Sequence, residues 1–232
     1  MFSYYGSKSK IVDFYPKPKL DKIIEPFAGS ARYALRYFDR DILLIDKYDV
    51  LIDVWSYLKN VSEKELLKLS NLKLEYRLSD LLDKNTIEYK FLGYLVQVGQ
   101  GNPKDTLSNM VGVDYFKKQI KNIASQLYKI RHWKIKKDDY QNLKNDEAVW
   151  FIDPPYQHGG QYQYKFNNKQ IDFKSLANWC KSRKGQVIVC ENTKADWMPF
   201  IPMTKMRGSK FTTTEAIWSN YKTDYNNQKS LF

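Results

Sequence analysis

Ala148-Val149-Trp150-Phe151-Ile152 runs without a polar residue into Asp153-Pro154-Pro155-Tyr156. A short apolar run that stops at a proline turn predicts a strand buried on both faces, as in a parallel sheet covered by helices. The same pattern recurs on either side. Upstream, residues 23–27 (Ile23-Ile24-Glu25-Pro26-Phe27) predict a strand broken by a turn at Ala28-Gly29-Ser30, and Ala31, Ala34, Leu35 and Phe38 follow at helical spacing. Ile42-Leu43-Leu44-Ile45 reads as a second buried strand ending in Asp46, with Val50, Leu51, Val54, Trp55 and Leu58 on one side of the next helix. Trp133 to Lys136 is a further strand, ending near Asp138-Asp139-Tyr140. Downstream, a helix around 172–183 leads to a strand at 186–190, and residues 200–219 read as two strands around Arg207-Gly208-Ser209-Lys210. Strands alternating with helices predict an α/β fold, Rossmann-like, with a mixed, mostly parallel sheet and helices on both faces.

Between about Val61 and Arg131 the rhythm changes to helices. Ser62 and Glu65 form a capping-box pattern ahead of Leu66, Leu67 and Leu69. Residues 81–98 are apolar on most sides, which predicts a buried helix. Val113, Phe116, Ile120, Ile123, Leu127 and Ile130 make one stripe, which predicts a single helix over 113–130. A polar loop with Gly and Pro, Gly99 to Asn109, separates the two. The division that follows is a catalytic domain from residues 1–60 and 131–232, with 61–130 as a helical insertion.

The 232 residues suit one domain, and 43% hydrophobic content allows a sizeable core. No apolar run approaches a membrane span, and Met1-Phe2-Ser3-Tyr4-Tyr5 lacks the pattern of a secretory signal, so a cytoplasmic protein is expected. The formal net charge of +12 points to a polyanionic partner, of which nucleic acid is the usual one. Cys180 and Cys190 have no metal-binding spacing, and with only His132 and His158 the sequence implies no metal.

Open parallel sheets bind ligands at the carboxyl ends of their strands. Four such ends carry distinctive residues: Glu25 to Ser30, Asp46, Asp139-Tyr140, and Asp153 to Tyr156. The first turn has one glycine and no Lys-Ser/Thr, so it is not a phosphate-binding loop. A cofactor without phosphate would need only a tight turn, and Asp46 is placed to accept hydrogen bonds from ribose hydroxyls.

Together these stretches resemble the DNA adenine-N6 methyltransferases, in the phage-type, DNA adenine methylase-like subgroup whose cofactor motif precedes the Asp-Pro-Pro-Tyr motif. The resemblance spans nearly the whole chain except roughly residues 60–130. It implies a Rossmann-like methyltransferase fold and S-adenosylmethionine as cofactor. Tyr4-Tyr5-Gly6-Ser7-Lys8 is similar to the family's N-terminal cofactor segment, which would place Tyr4 and Lys8 near the methionine part. Glu25, Pro26, Phe27, Ala28, Gly29 and Ser30 match the cofactor loop, although Ala31 stands where a second glycine is common. Asp46 falls where the family's ribose-binding acid lies, and Asp139 and Tyr140 resemble the pair bracketing the cofactor adenine. Glu215 to Asn220 is similar to the family's final strand, read as structural. Asp153, rather than Ser or Asn, favours adenine as the target.

The chemistry of the motif follows from its residue types. An exocyclic amine conjugated to a purine is a weak nucleophile. Asp153 accepting one N6–H bond and the Pro154 carbonyl the other would favour a pyramidal nitrogen with its lone pair free. Pro154 and Pro155 fix the turn and remove competing N–H donors. Tyr156 offers a face for a base flipped out of its stack. Asn102, Lys104, Ser108 and Asn109 in the insertion, Tyr162 and Lys165 in a lid-like loop, and Lys205, Arg207 and Lys210 near the last turn are candidates for nucleic-acid contact. The expected partner is double-stranded DNA, with any restriction endonuclease on a separate chain and the protein a monomer or homodimer. Phages and mobile elements carry enzymes of this kind. An RNA adenine-N6 methyltransferase and a non-catalytic nucleic-acid-binding module on a methyltransferase fold are the competing readings.

Overall fold

The computed structural model describes residues 1–159, 163–207 and 212–221. Its strands are β1 (Lys22–Glu25), β2 (Asp41–Asp46), β3 (Lys134–Lys137), β4 (Ala148–Ile152), β5 (Gly185–Asn192), β6 (Ile201–Arg207) and β7 (Thr212–Ser219). They form one sheet in the order β3-β2-β1-β4-β5-β7-β6. The pairs from β3 through β5 are all parallel, while β7 runs antiparallel to both β5 and β6. The chain thus adopts a Rossmann-like α/β fold with a mixed, mostly parallel sheet, read from its own strand order. The helices are α1 (Arg32–Arg36), α2 (Asp49–Asn60), α3 (Glu63–Lys68), α4 (Ile87–Gly93), α5 (Gly112–Ala124) and α6 (Phe173–Lys181). Among the described residues no helix is long and apolar enough to cross a membrane.

The period-2 geometry of a strand explains why the central strands are apolar throughout. Val149 and Phe151 of β4 face one hydrophobic cluster, with Ile23, Ile42, Leu44 and Ile188 of neighbouring strands and the inner sides of α1, α2, α4 and α5. Ala148, Trp150 and Ile152 face the other, where Val187, Val189 and the Leu176, Ala177 and Cys180 side of α6 meet them. Tyr33 of α1 stacks on Phe151, centroids 4.3 Å apart. Both cysteines are buried and free.

The helical stretch departs from its expected lengths. The capping box at Ser62 is present: its hydroxyl accepts from the Glu65 N–H, and the Glu65 carboxylate accepts from the Ser62 N–H. The buried helix expected over 81–98, however, is only Ile87–Gly93, opened by the Thr86 side chain. Tyr94, Leu95 and Val96 are fully buried outside it. Their burial made the sequence look helical, but the loop after Gly99 takes the backbone acceptors: Lys104 N–H donates to Gly93 O and Ser108 N–H to Val96 O. The single helix expected over 113–130 also divides, α5 ending at Ala124 and a 3-10 turn covering Leu127–Ile130. Leu127 and Ile130 stay buried, because a spacing of three suits either conformation. Phe91, Leu92, Phe116 and Ile120 of this region lie in the same cluster as Phe2 and Trp55.

Candidate active site

A cavity of about 380 Å³ opens at the carboxyl ends of β1, β2 and β4. This is where strand order reverses between β1 and β4, the switch point at which such sheets bind ligands. Tyr4, Lys8, Glu25, Pro26, Phe27, Ala28, Gly29, Ser30, Asp46, Asp139, Tyr140 and Asp153 all line it, so the structure gathers every residue tied above to a cofactor. Pro155 lines it too, and Pro154 is buried behind.

The loop after β1 is wound tightly. Gly29 and Ala31 both have positive φ, and Ala31 is the one described non-glycine residue that does. Alanine thus holds at position 31 a left-handed conformation that glycine adopts more easily. Trp55 Nε1 donates to the Gly29 carbonyl at 3.0 Å and ties the loop to α2. From below, the Asp46 carboxylate accepts from the Tyr48 N–H at 2.8 Å. Burial pushes its pKa up to about 6, against the backbone N–H groups of Tyr48, Gly29, Ala28 and Lys47, which favour the anion. Glu25 accepts from the Ala34 N–H at 2.5 Å. Burial pushes Glu25 up to about 8; the Ala34 N–H opposes this and the Asp153 charge adds to it. At the far wall Phe27 and Tyr140 lie with ring centroids 5.4 Å apart, and Asp139 pairs with Lys47 at 2.9 Å.

Asp153 sits within a compact charge network. Lys8 Nζ lies 3.0 Å from Asp153 Oδ1 and 3.7 Å from Glu215 Oε1. The same ammonium stands 4.5 Å over the Tyr156 ring, so one face of that ring is already covered. Glu215 is fully buried, and its Oε1 accepts from the hydroxyls of Tyr15 at 2.6 Å and Tyr156 at 2.5 Å. Its Oε2 has no hydrogen-bond partner among the described residues. Burial disfavours charge on Lys8, but Asp153 and Glu215 outweigh it and keep the ammonium protonated. Asp153 is pushed up to about 6, by burial first; Lys8 pulls it down, Glu215 pushes it up, and the Tyr156 hydroxyl favours its anion.

Glu215 is the residue that sequence reasoning missed, having passed β7 over as structural. The available signal was a glutamate on the strand face that Ile217 shares with the core. Pairing with Asn192 at the end of β5 carries it to the site. Tyr164 and Phe166 also line the cavity and were not singled out as pocket residues. Tyr164 donates to the Tyr5 carbonyl at 3.3 Å and packs beside Tyr4 and Tyr5.

The described residues expected to contact nucleic acid fall on the cavity rim, the loop after α4 and β6. Lys165 is at the cavity rim and exposed. Asn102 spends its side-chain amide on the Gln163 carbonyl, and Ser108 accepts from the Val111 N–H. The Lys104 backbone is bound to Gly93, and Asn109 is exposed on the same loop. Lys205 is exposed on β6, the edge strand. Arg207 closes β6 at the sheet edge that carries the site. Tyr162 and Lys210 lie outside the described residues.

The cavity fits S-adenosylmethionine by its donor set. Glu25 and Asp153 would meet a sulfonium or ammonium, Asp46 would meet hydroxyls, and Phe27 with Tyr140 would offer aromatic faces to a purine. No family model matches the chain, and no curated protein matches it. Among solved structures it is similar to yhhF from Escherichia coli, provisionally named a methyltransferase, at 11% identity over 90% of this chain and 78% of that one, with a TM-score of 0.33. A likeness that distant says nothing of this chain's chemistry.

Proposed function

We propose that the protein transfers a methyl group from S-adenosylmethionine to N6 of an adenine in DNA. The observation that carries the reading is Asp153, at the end of β4, facing into the cavity that the cofactor-type residues line. When bound, the cofactor supplies an electrophilic methyl group.

The chain's own residues prepare the acceptor. With its pKa near 6, Asp153 is ionised at neutral pH and accepts a hydrogen bond from the exocyclic amine. The Pro154 carbonyl offers a second acceptor, and both keep the nitrogen lone pair out of the ring. A carboxyl held near 6 also takes up a proton more readily than an ordinary aspartate, as the methylated nitrogen must lose one. Lys8 holds Asp153 in place, and Glu215 balances Lys8 so that its charge does not fall on Asp153 alone. Tyr156 is anchored through its hydroxyl to Glu215, is covered on one face by Lys8 and packs against the core; it is not among the residues lining the cavity, so the stacking role expected of it is not carried by this geometry. The net charge of +12 and the exposed Lys165 and Lys205 suit a polyanion.

Labelled-methyl transfer tests the reading against unmethylated duplex DNA, RNA and protein. N6-labelled adenine in DNA is expected; label confined to RNA or protein would reassign the substrate. Asp153→Ala should lower turnover by at least about 100-fold, the low end for loss of a proton-handling group, with cofactor binding still measurable by calorimetry. Retained turnover in that variant removes Asp153 from the mechanism.

A further inference from the structure

An amino-acid carboxylate entering this cavity meets mostly acidic side chains: Glu25, Asp46, Asp138, Asp139, Asp153 and Asp172 all line it. Four cations line it as well. Lys8 is committed to Asp153 and Glu215, and Lys47 to Asp139. Lys165 is exposed, where water and salt weaken its attraction.

Arg32 is different. It is half-buried and lines the cavity as the first residue of α1, set there by the left-handed turn at Ala31. Its Nε donates to Ser7 Oγ at 3.0 Å and its Nη2 to the Phe2 carbonyl at 2.9 Å, both neutral acceptors. Ion pairs tie Arg36 to Asp13 and Arg40 to Asp21, whereas Arg32 makes none with a described carboxylate. Burial alone bears on its titration, lowering it, with no acid to offset that. A guanidinium has five N–H donors, so three remain. Ser7 Oγ also accepts from the buried Ser30 hydroxyl at 3.0 Å, which leaves the Ser7 proton to donate elsewhere. A half-buried guanidinium with spare donors, beside a hydroxyl with a spare proton, is a carboxylate receptor.

We propose that Arg32, with the Ser7 hydroxyl, binds the α-carboxylate of the cofactor's amino-acid end. The inference rests on the methyl-transfer reading and gives the cofactor its direction. The carboxylate would lie at Arg32, which makes no ion pair with a described carboxylate, and Glu25 and Asp153 are left to the cationic groups.

Calorimetry with two probes tests it: S-adenosylmethionine and its decarboxylated form, which keeps the sulfonium and the amine. The unaltered protein should bind the first more tightly by roughly 10- to 100-fold, the worth of hydrogen bonds to a charged group. Arg32→Ala should erase that preference by weakening S-adenosylmethionine alone. Arg32→Lys, which keeps the charge, should retain part of the preference and serves if the alanine variant does not fold. Equal losses for both probes, or no preference in the unaltered protein, overturn the assignment while leaving the cofactor reading intact. Binding of neither probe by the unaltered protein sinks the cofactor reading and the assignment with it.

Discussion

Glu215 carries its charge where water does not reach, and three donors make that possible: the hydroxyls of Tyr15 and Tyr156 and the ammonium of Lys8. Removing one member of a buried pair typically costs about 3–5 kcal/mol, so an alanine at 215 would report mainly on folding. Gln is the informative replacement, because it keeps an acceptor for the tyrosines and removes only the charge. Glu215 raises the proton affinity of Asp153. In Glu215→Gln the full charge of Lys8 then bears on Asp153, whose titration must move to lower pH. The acidic limb of the pH–rate profile, expected near 6 in the unaltered protein, should shift downward in this variant. Cys190, Tyr15, Tyr156 and Tyr164 also feel the Glu215 charge, but burial pushes them up and they stay neutral near pH 6 in either protein, while Glu25 faces Asp153 in this network. An unmoved limb would mean that Asp153 does not set it. At this scale the sequence was a good guide to Asp153, Lys8 and Asp46, whose neighbours in the chain mark them. It was a poor guide to Glu215 and Arg32, whose roles come from what lies beside them in space.

Among the elements, the loop after α4 is bound tightly to the segments around the cavity. Tyr5 N–H donates to the Gln100 carbonyl and Gly99 N–H to Ser3 Oγ. A Cβ on Gly101 would come 1.9 Å from the Gln163 carbonyl oxygen, a backbone atom that cannot swing aside. Gly101→Ala should therefore prise residues 99–102 from 163–164, at about 1–3 kcal/mol for forced overpacking. Hydrogen exchange reads this locally: the Tyr164 and Phe166 amides should exchange faster while those of β4 stay protected. Unchanged exchange at 163–166 would show that the two loops do not depend on each other. The sheet was legible element by element because buried parallel strands are apolar throughout and end in turn residues. The helices at 81–98 and 113–130 were overextended because burial, not helix, made their sequences apolar. Only the hydrogen bonds of the following loop decide where α4 stops.

The whole molecule gathers carboxylates where a cationic ligand would neutralise them. Glu25, Asp46 and Asp153 all have proton affinities raised in the folded state, to about 8, 6 and 6. A raised carboxyl binds more protons folded than unfolded, so its contribution to stability is present below its unfolded pKa and is lost as pH rises through the folded value. The buried Met1 amine works the other way: burial first, then the charges of Arg32 and Lys129, lower it to about 4, so it adds stability as pH rises toward 8 and offsets Glu25 there. The ligand-free protein should therefore melt at progressively lower temperature from pH 5 to 6.5 at fixed ionic strength, with little slope from 6.5 to 8. Glu25→Gln should leave the Met1 amine unopposed and make the melting temperature climb between about pH 6.5 and 8. A melting temperature of the unaltered protein that climbs from pH 5 to 6.5 would contradict the charge assignment.

β7 enters the sheet between β5 and β6, although it is the last described strand in the chain. During synthesis, then, everything through β6 emerges before the strand that carries Glu215. Until residue 219 is made, β5 has an open edge, a known template for mispairing. Over the same interval Lys8 and Asp153 lack their third partner. A ribosome-bound chain halted before Thr212 would hold most of its hydrophobic core and an unbalanced site. Such an intermediate is prone to associate with its own kind and unable to act too early.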